Sequence, residues 1–258
     1  MATAATPMTQ PQVEQRGEGP RVLFVHGSVA SGSMTWKAQC PLADRWTLLV
    51  LDRRGFGESP PADRDDFEVD ARDIAEALGD GAHLVAHSYG GVGALLAAAA
   101  RPHAVHSLTL VEPSAYSVAL DHEHVRRSVD QVAAHFAAAL HVREFLEGFC
   151  ELMGIQGKPP DPLPPTLDTS TRLLMRCRLP WTAQFPLVDL AKAEFRSLVV
   201  SGGHSPVFES ICDGLAGCLG AERAVIAGAG HSVPRTGMPF NEKLEAFLLA
   251  SPPPKPTK

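Results

Sequence analysis

The sequence predicts an α/β fold: a mostly parallel central sheet with helices on both faces, plus a helical insertion between two of its strands. Three observations predict it. Short apolar runs such as Arg21–His26 (RVLFVH) and Trp46–Leu51 (WTLLVL) are continuous rather than alternating, as strands buried on both faces require. Helical patterns separate these runs, giving the βα rhythm of a parallel sheet. That rhythm stops between Ser114 and Ala193, where helical stretches follow one another without a convincing strand.

Taken in order, residues 1–20 are rich in Thr, Pro, Gln and Gly and read as a tail, although Val13–Arg16 could add a short edge strand. Arg21–His26 is the first buried strand, followed by a Gly/Ser loop and a helix from about Met34. Trp46–Leu51 is the next strand and ends in the turn DRRGFGES. Phe67, Ala71, Ile74, Ala75 and Leu78 recur at helical spacing, and Gly79–Gly81 stops that helix. Ala82–Ala86 is a strand and His87–Gly91 a tight turn. Val92–Ala100 is an Ala-rich helix whose small side chains suit close packing on a sheet. Ser107–Val111, Arg196–Val200 and Ala224–Ile226 supply further strands, and Asn241–Leu249 a closing amphipathic helix. Val125–Ala139, Val142–Met153 and Ser170–Arg178 read as helices, with a Pro-rich loop, GKPPDPLPPTLD, between the last two. The core is therefore expected over 21–113 and 194–250, a helical cap over 114–193, and a Pro-rich tail, SPPPKPTK, over 251–258. A cap there can lie over the carboxyl ends of the strands, where open α/β sheets hold their ligands.

Composition narrows the function. A chain of 258 residues can build one large domain and buries enough surface to need no disulfide or metal staple. A net charge of −6 argues against a nucleic-acid surface, which needs a basic face to displace counterions. No apolar run approaches the roughly 20 residues that span a bilayer, so no membrane segment is expected. The start, MATAATPMTQPQVEQ, lacks the basic and apolar regions of a secretory signal. Five Cys, an odd number with no C-x-x-C, read as free thiols in a reducing cytoplasm. No metal cluster, phosphate loop or dinucleotide fingerprint appears, so no cofactor is expected. A homodimer stays open.

Three segments carry chemistry. Ala86-His87-Ser88-Tyr89-Gly90-Gly91 stands between a strand and a helix and matches the nucleophile elbow G-x-S-x-G, with Ala in place of the first Gly. The elbow needs small residues two before and two after the Ser so that strand and helix can approach. The plainer alternative is a polar βα turn. Phe24-Val25-His26-Gly27-Ser28-Val29 follows the first strand directly. Ala229-Gly230-His231-Ser232-Val233-Pro234 follows the last, and His titrates near neutrality as a general base must.

In these segments the chain resembles the α/β-hydrolase superfamily over roughly residues 20–250. The resemblance implies an oxyanion hole formed by the backbone N–H of Ser28, with Val29 as the fallback, and of Tyr89. It makes Ser88 the nucleophile and His231 the base. Asp52-Arg53-Arg54-Gly55-Phe56-Gly57-Glu58-Ser59 looks like the family's D-x-R-G-x-G-x-S turn, a structural element secured by Asp52. His26 is read as structural, and Trp36 is expected to pack the oxyanion loop.

The acid departs from the commoner family pattern. Where many members carry G-x-x-D after the strand Leu198-Val199-Val200, this chain has Gly202-Gly203-His204-Ser205, and Ser cannot stabilise an imidazolium as a carboxylate does. Glu112, in Leu110-Val111-Glu112-Pro113, ends the preceding core strand, where some members, including certain haloalkane dehalogenases, carry their acid. Glu112 is the candidate, with Asp213 and Glu209 as runners-up inside the following helix. The chain order Ser88, Glu112, His231 is then nucleophile, acid, base.

A Ser nucleophile sets aside the branches that use Asp and implies acyl chemistry on a small-molecule acyl substrate. A carboxylic ester, lactone or thioester fits, as a carboxylesterase or lactonase would cleave. A ligand-binding protein on the same fold, a C–C bond hydrolase, an acyltransferase and a lyase remain alternatives. Substrate choice is expected to lie with Val29 and the cap residues Phe136, Trp181 and Phe185.

Overall fold

The structure is a computed structural model that describes residues 9–138 and 141–252. The first eight residues of the expected N-terminal tail, Ala139 at the end of the expected Val125–Ala139 helix, and residues 253–258 of the Pro-rich tail lie outside the described residues.

Seven strands among the described residues form one sheet: β1 (Val13–Arg16), β2 (Arg21–Val25), β3 (Thr47–Leu51), β4 (Ala82–His87), β5 (Val105–Val111), β6 (Arg196–Ser201) and β7 (Glu222–Val225). Their order across the sheet is β1-β3-β2-β4-β5-β6-β7. Only β1 runs antiparallel, pairing Val13 with Leu51 at the edge; the other pairs are parallel. The segment Val13–Arg16 is thus a sheet edge inside the expected tail.

The continuous apolar runs have the predicted consequence. Leu23, Val25, Leu49 and Leu51 face one way, into a core shared with helices α2 (Phe67–Ala77), α3 (Tyr89–Ala100) and α8 (Pro206–Leu219). Their neighbours Val22, Phe24, Leu48 and Val50 face the other way, against Trp36 and helix α9 (Met238–Leu249). The side-chain period of two therefore fills two cores from one strand, so a one-residue slip would exchange every contact. Helix α2 begins where Asp66 accepts the Glu68 N–H, and Glu68 and Asp70 in its first turn complement the helix dipole. Helix α8 ends at Gly220, whose φ of 59° is the left-handed stop that glycine tolerates.

A four-residue helix, α1 (Gly32–Thr35), follows the first βα loop. Between β5 and β6 lie α4 (Glu123–Ala137), α5 (Val142–Leu152), α6 (Pro165–Leu174) and α7 (Leu187–Ala191), with no strand among the described residues there. The rings of Phe136, Phe145 and Phe149 bind α4 to α5, with centroids 5.0 to 6.4 Å apart. No helix among the described residues is long and apolar enough to cross a membrane.

Candidate active site

Three strand ends carry the chemistry. Strand β4 ends at His87 and α3 begins at Tyr89, so Ser88 alone makes the turn, at φ 53° and ψ −125°. This is a costly conformation for a residue with a Cβ, and neighbouring bonds hold it. The Ser88 N–H donates to the Val111 carbonyl at 2.9 Å, and the Ser88 carbonyl accepts from Gly91 at 2.9 Å and Ser114 at 3.1 Å. Gly90 is required by proximity: a Cβ there would stand 2.3 Å from the His26 carbonyl oxygen. Ala86 is fully buried, so its methyl fits where the motif usually has glycine.

Glu112 follows β5 at φ 47°, and its N–H donates to the Val200 carbonyl at 2.8 Å. Its side chain is fully buried. One carboxylate oxygen accepts the Gly202 N–H at 2.6 Å, and the other lies 3.1 Å from His231 Nδ1. His231 Nε2 in turn lies 2.9 Å from Ser88 Oγ. The three side chains form one hydrogen-bonded run, carboxylate to imidazole to hydroxyl.

Burial lowers the pKa of His231, with His204 adding to the effect, so the resting ring is neutral. With Nδ1–H donating to Glu112, Nε2 is free to accept from Ser88. Burial pushes Glu112 up to about 7, against the pull of the Gly202 amide and the His204 and His87 rings. His87 is pushed down to about 3, first by burial and then by His231. Its neutral ring donates Nε2–H to the His231 carbonyl at 2.8 Å, which fixes the loop that carries His231.

The loop after β2 is held from below by a buried cation. The Arg53 guanidinium donates to the carbonyls of His26 at 3.1 Å and Gly27 at 2.9 Å, while pairing with Asp65 and, at 2.7 Å, Asp70. The Arg53 N–H donates to His26 Nε2 at 2.9 Å, so His26 carries its proton on Nδ1 and donates to the Gly27 carbonyl at 2.7 Å. Val29, a β-branched residue at φ 75°, closes the loop. Positive φ at non-glycine residues occurs, among the described residues, at Val29, Ser88 and Glu112, all at this end of the sheet. Tyr89 opens α3, so its N–H belongs to the first turn that has no intrahelical acceptor.

Two cavities meet at Ser28 and Ser88. The larger, about 250 Å³, also reaches Val29, His87 and His231. The smaller, about 30 Å³, is lined by Tyr89 and by apolar residues from between β5 and β6 that include Phe136 and Trp181. Phe185 lines neither. It packs, half-buried, with Tyr89, Phe67 and Val92, because its segment lies against α3 rather than over the cavity. Asp213 and Glu209 are engaged by Arg223, so neither is brought to His231. Trp36 is buried against Phe24 and His87, beneath the loop after β2.

The geometry can transfer a proton from a hydroxyl to a neutral imidazole backed by a carboxylate. One ligand atom each from Glu112, His204 and His231 lies within 4.8 Å of the others.

The sequence profile of the alpha/beta hydrolase fold matches residues 20–234, most of the chain. The chain belongs to the alpha/beta hydrolase fold family. Among curated relatives, it is 34% identical over 112 residues to a pimeloyl-[acyl-carrier protein] methyl ester esterase of Aeromonas hydrophila, covering 42% of this chain and 44% of that one. It is 33% identical over 150 residues to the enzyme of that name from Chromobacterium violaceum, covering 57% and 58%. To the human serine hydrolase BPHL it is 32% identical over 126 residues, covering 45% and 43%. The chain spans about half the length of the curated relatives it matches. Among solved structures, a carboxylesterase of Nitrososphaera gargenis superposes with a TM-score of 0.71 at 13% identity, covering 93% of this chain and 94% of that one. A reconstructed ancestral haloalkane dehalogenase gives 0.67 at 22%, covering 95% and 98%.

Three residues at this family site escaped the sequence reading. His87 stands inside the elbow motif, but nothing in one sequence says that its ring reaches the last loop. His204 lies in the loop that lacks the expected Asp, and its Nδ1 is 3.7 Å from the Glu112 carboxylate. Arg53 lies in a turn read as purely structural, with Asp52 as its anchor. Asp52 does hold that turn, accepting from Gly32 at 2.7 Å, but Arg53 reaches the Gly27 carbonyl in the loop after β2.

Proposed function

We propose that this chain is a serine hydrolase that cleaves a carboxylic ester of a small molecule through an acyl-enzyme. Ser88 is the nucleophile, His231 the general base and then acid, and Glu112 the carboxylate that orients the ring. The backbone amides of Ser28 and Tyr89 receive the oxyanion. The observation that carries this reading is the run of contacts at 3.1 Å and 2.9 Å from Glu112 through His231 to Ser88, at the shared wall of two cavities.

The steps follow from the geometry. His231 Nε2 takes the Ser88 proton as Oγ bonds to the carbonyl carbon. The carbonyl oxygen becomes anionic, and each amide donor is worth about 3–4 kcal/mol there, by analogy with mutated oxyanion donors. Glu112 stabilises the imidazolium. His231 passes the proton to the departing alkoxide, releasing the alcohol. Water, deprotonated by the same ring, attacks the acyl-enzyme, and as the acyl–Oγ bond breaks the ring returns that proton to Ser88, releasing the acid. Lactones and thioesters need the same steps. The names of the relatives, esterases and a serine hydrolase, point the same way.

A fluorophosphonate probe tests the reading. One adduct at neutral pH, lost in S88A, is the expected result. A folded protein that takes no adduct and turns over none of a panel of short esters, lactones and thioesters would instead be a binding protein.

A further inference from the structure

The larger cavity at Ser88 has a charge that the rest of the chain does not. The protein carries 29 acidic against 23 basic side chains, yet no Asp or Glu among the described residues lines this cavity, while Lys158 and Arg235 do. Among the described residues neither cation has a carboxylate within ion-pairing distance, unlike Arg143, Arg178 and Arg223. Arg235 sits four residues after His231, beyond a kink at Ser232 in the same loop segment. Its charge reaches the site, since it helps to hold the His87 ring neutral. Lys158 sits on the Pro-rich loop, and that loop is fastened: Arg143 donates to the carbonyls of Pro160 at 2.9 Å and Pro159 at 3.2 Å. The acids of the same region, Glu147 and Asp161, face Arg143 at 3.1 and 3.3 Å.

The two cavities also differ in which half of an ester they can take. His231 must deliver a proton to the leaving oxygen, so the leaving group lies on the side that His231 lines. His231 lines the larger cavity and not the smaller one. The smaller cavity, about 30 Å³ and walled by Tyr116, Phe136, Phe149, Met153 and Trp181, is left for the acyl chain. That volume suits a short apolar acyl group.

We infer that the substrate is a short-chain acyl ester whose leaving group carries a carboxylate or phosphate anion, held by Lys158 and Arg235 at the mouth of the larger cavity. This deepens the reading of the protein as a serine hydrolase and rests on it. A protein of net charge −6 repels such a substrate at long range. A local pair of cations offsets that repulsion where the chemistry occurs.

The test compares matched acetates: 4-acetoxybenzoate and 4-acetoxyphenyl phosphate against methyl 4-acetoxybenzoate. A fourth ester, phenyl hydrogen adipate, places the anion on the acyl half instead. The readout is the ratio of kcat/KM for each anionic ester to that for the neutral one, so intrinsic leaving-group reactivity cancels between variants. In the wild type, at least one anionic leaving group is expected to be preferred over the neutral ester. In the K158Q/R235Q double variant that ratio should fall about five- to tenfold, as the loss of one or two partly exposed charge contacts gives. Raising the salt concentration should shrink it in the wild type. An unchanged ratio in the double variant overturns the inference, as does a loss confined to the adipate ester. Failure of every acetate together with failure of Ser88 to take the fluorophosphonate overturns the hydrolase reading itself.

Discussion

Glu112 takes the N–H of Gly202 on its carboxylate at 2.6 Å, across the ends of β5 and β6. The loop after β6, which in many family members carries the acid, here supplies an amide donor to an acid on the neighbouring strand. The amide favours the ionised carboxylate and opposes the cost of burying it.

The first prediction separates the function of Glu112 from its cost. Its folded pKa, about 7, lies above its ordinary value of 4.5. The folded state therefore binds the proton more tightly than the unfolded chain. The stabilisation this brings is complete below pH 4.5 and is lost as pH rises through 7, a difference of about 3 kcal/mol. E112Q should then lower kcat by about 10⁴-fold, as loss of the equivalent acid does elsewhere. Its melting temperature at pH 8.5 should equal or exceed that of the wild type. Thermal melts at pH 5 and 8.5 beside ester turnover check both halves. If D213N loses the activity instead, Glu112 is not the acid.

Activity should also follow the proton on this pair. The proposed mechanism needs His231 neutral and Glu112 ionised, and burial keeps a proton on the carboxylate up to about pH 7. The log of kcat/KM should therefore rise with pH through about 7 and then level. A stopped-rate profile from pH 5.5 to 9 reads this, and a flat profile contradicts the assignment.

Gly202 has no room for a side chain. A Cβ there would stand 1.9 Å from the Gly230 carbonyl oxygen, beside the residue that leads into His231. G202A should push the His231 loop away from β6, costing about 1–3 kcal/mol of stability and a larger share of the activity. Urea denaturation and ester turnover on the same preparation show whether both fall.

Arg53 is fully buried between Asp65 and Asp70. R53M should cost about 3–5 kcal/mol, because two carboxylates lose their partner in the interior. Adding D65N and D70N should return much of that stability but not the activity, since the donors to His26 and Gly27 are still missing. Recovery of activity in the triple variant would show that Arg53 does not hold the oxyanion loop.

Much of this was legible in the sequence because the strands are buried on both faces. Phe24, Val25, Leu48 and Leu49 had to be apolar without alternation, and that pattern is visible in any single chain. Ser88 and Glu112 stand where strands end and His231 lies in the loop after the last strand, so finding the strands nearly located the candidate site. Val13–Arg16 was harder, because an edge strand needs apolar residues on one side alone and its half-buried residues look like a tail. His87, His204 and Arg53 were not legible for a different reason. Each acts through a contact across the sheet edge, such as His87 with the His231 carbonyl, and sequence distance says nothing about such a contact. Phe185 shows the converse: an aromatic residue of the insertion looked like a cavity wall, but the segment's path turns it onto α3.

The proposed hydrolysis requires Ser88 Oγ to form a bond to the acyl carbon. The most direct measurement is the intact mass of the protein quenched with acid during turnover of a slowly released ester, 4-nitrophenyl trimethylacetate, followed by peptide mapping. The expected result is a gain of one trimethylacetyl group on the peptide that contains Ser88, absent in S88A and strongly reduced in a His231→Ala variant. Turnover that proceeds with no adduct, or with the acyl group on another residue, would contradict it.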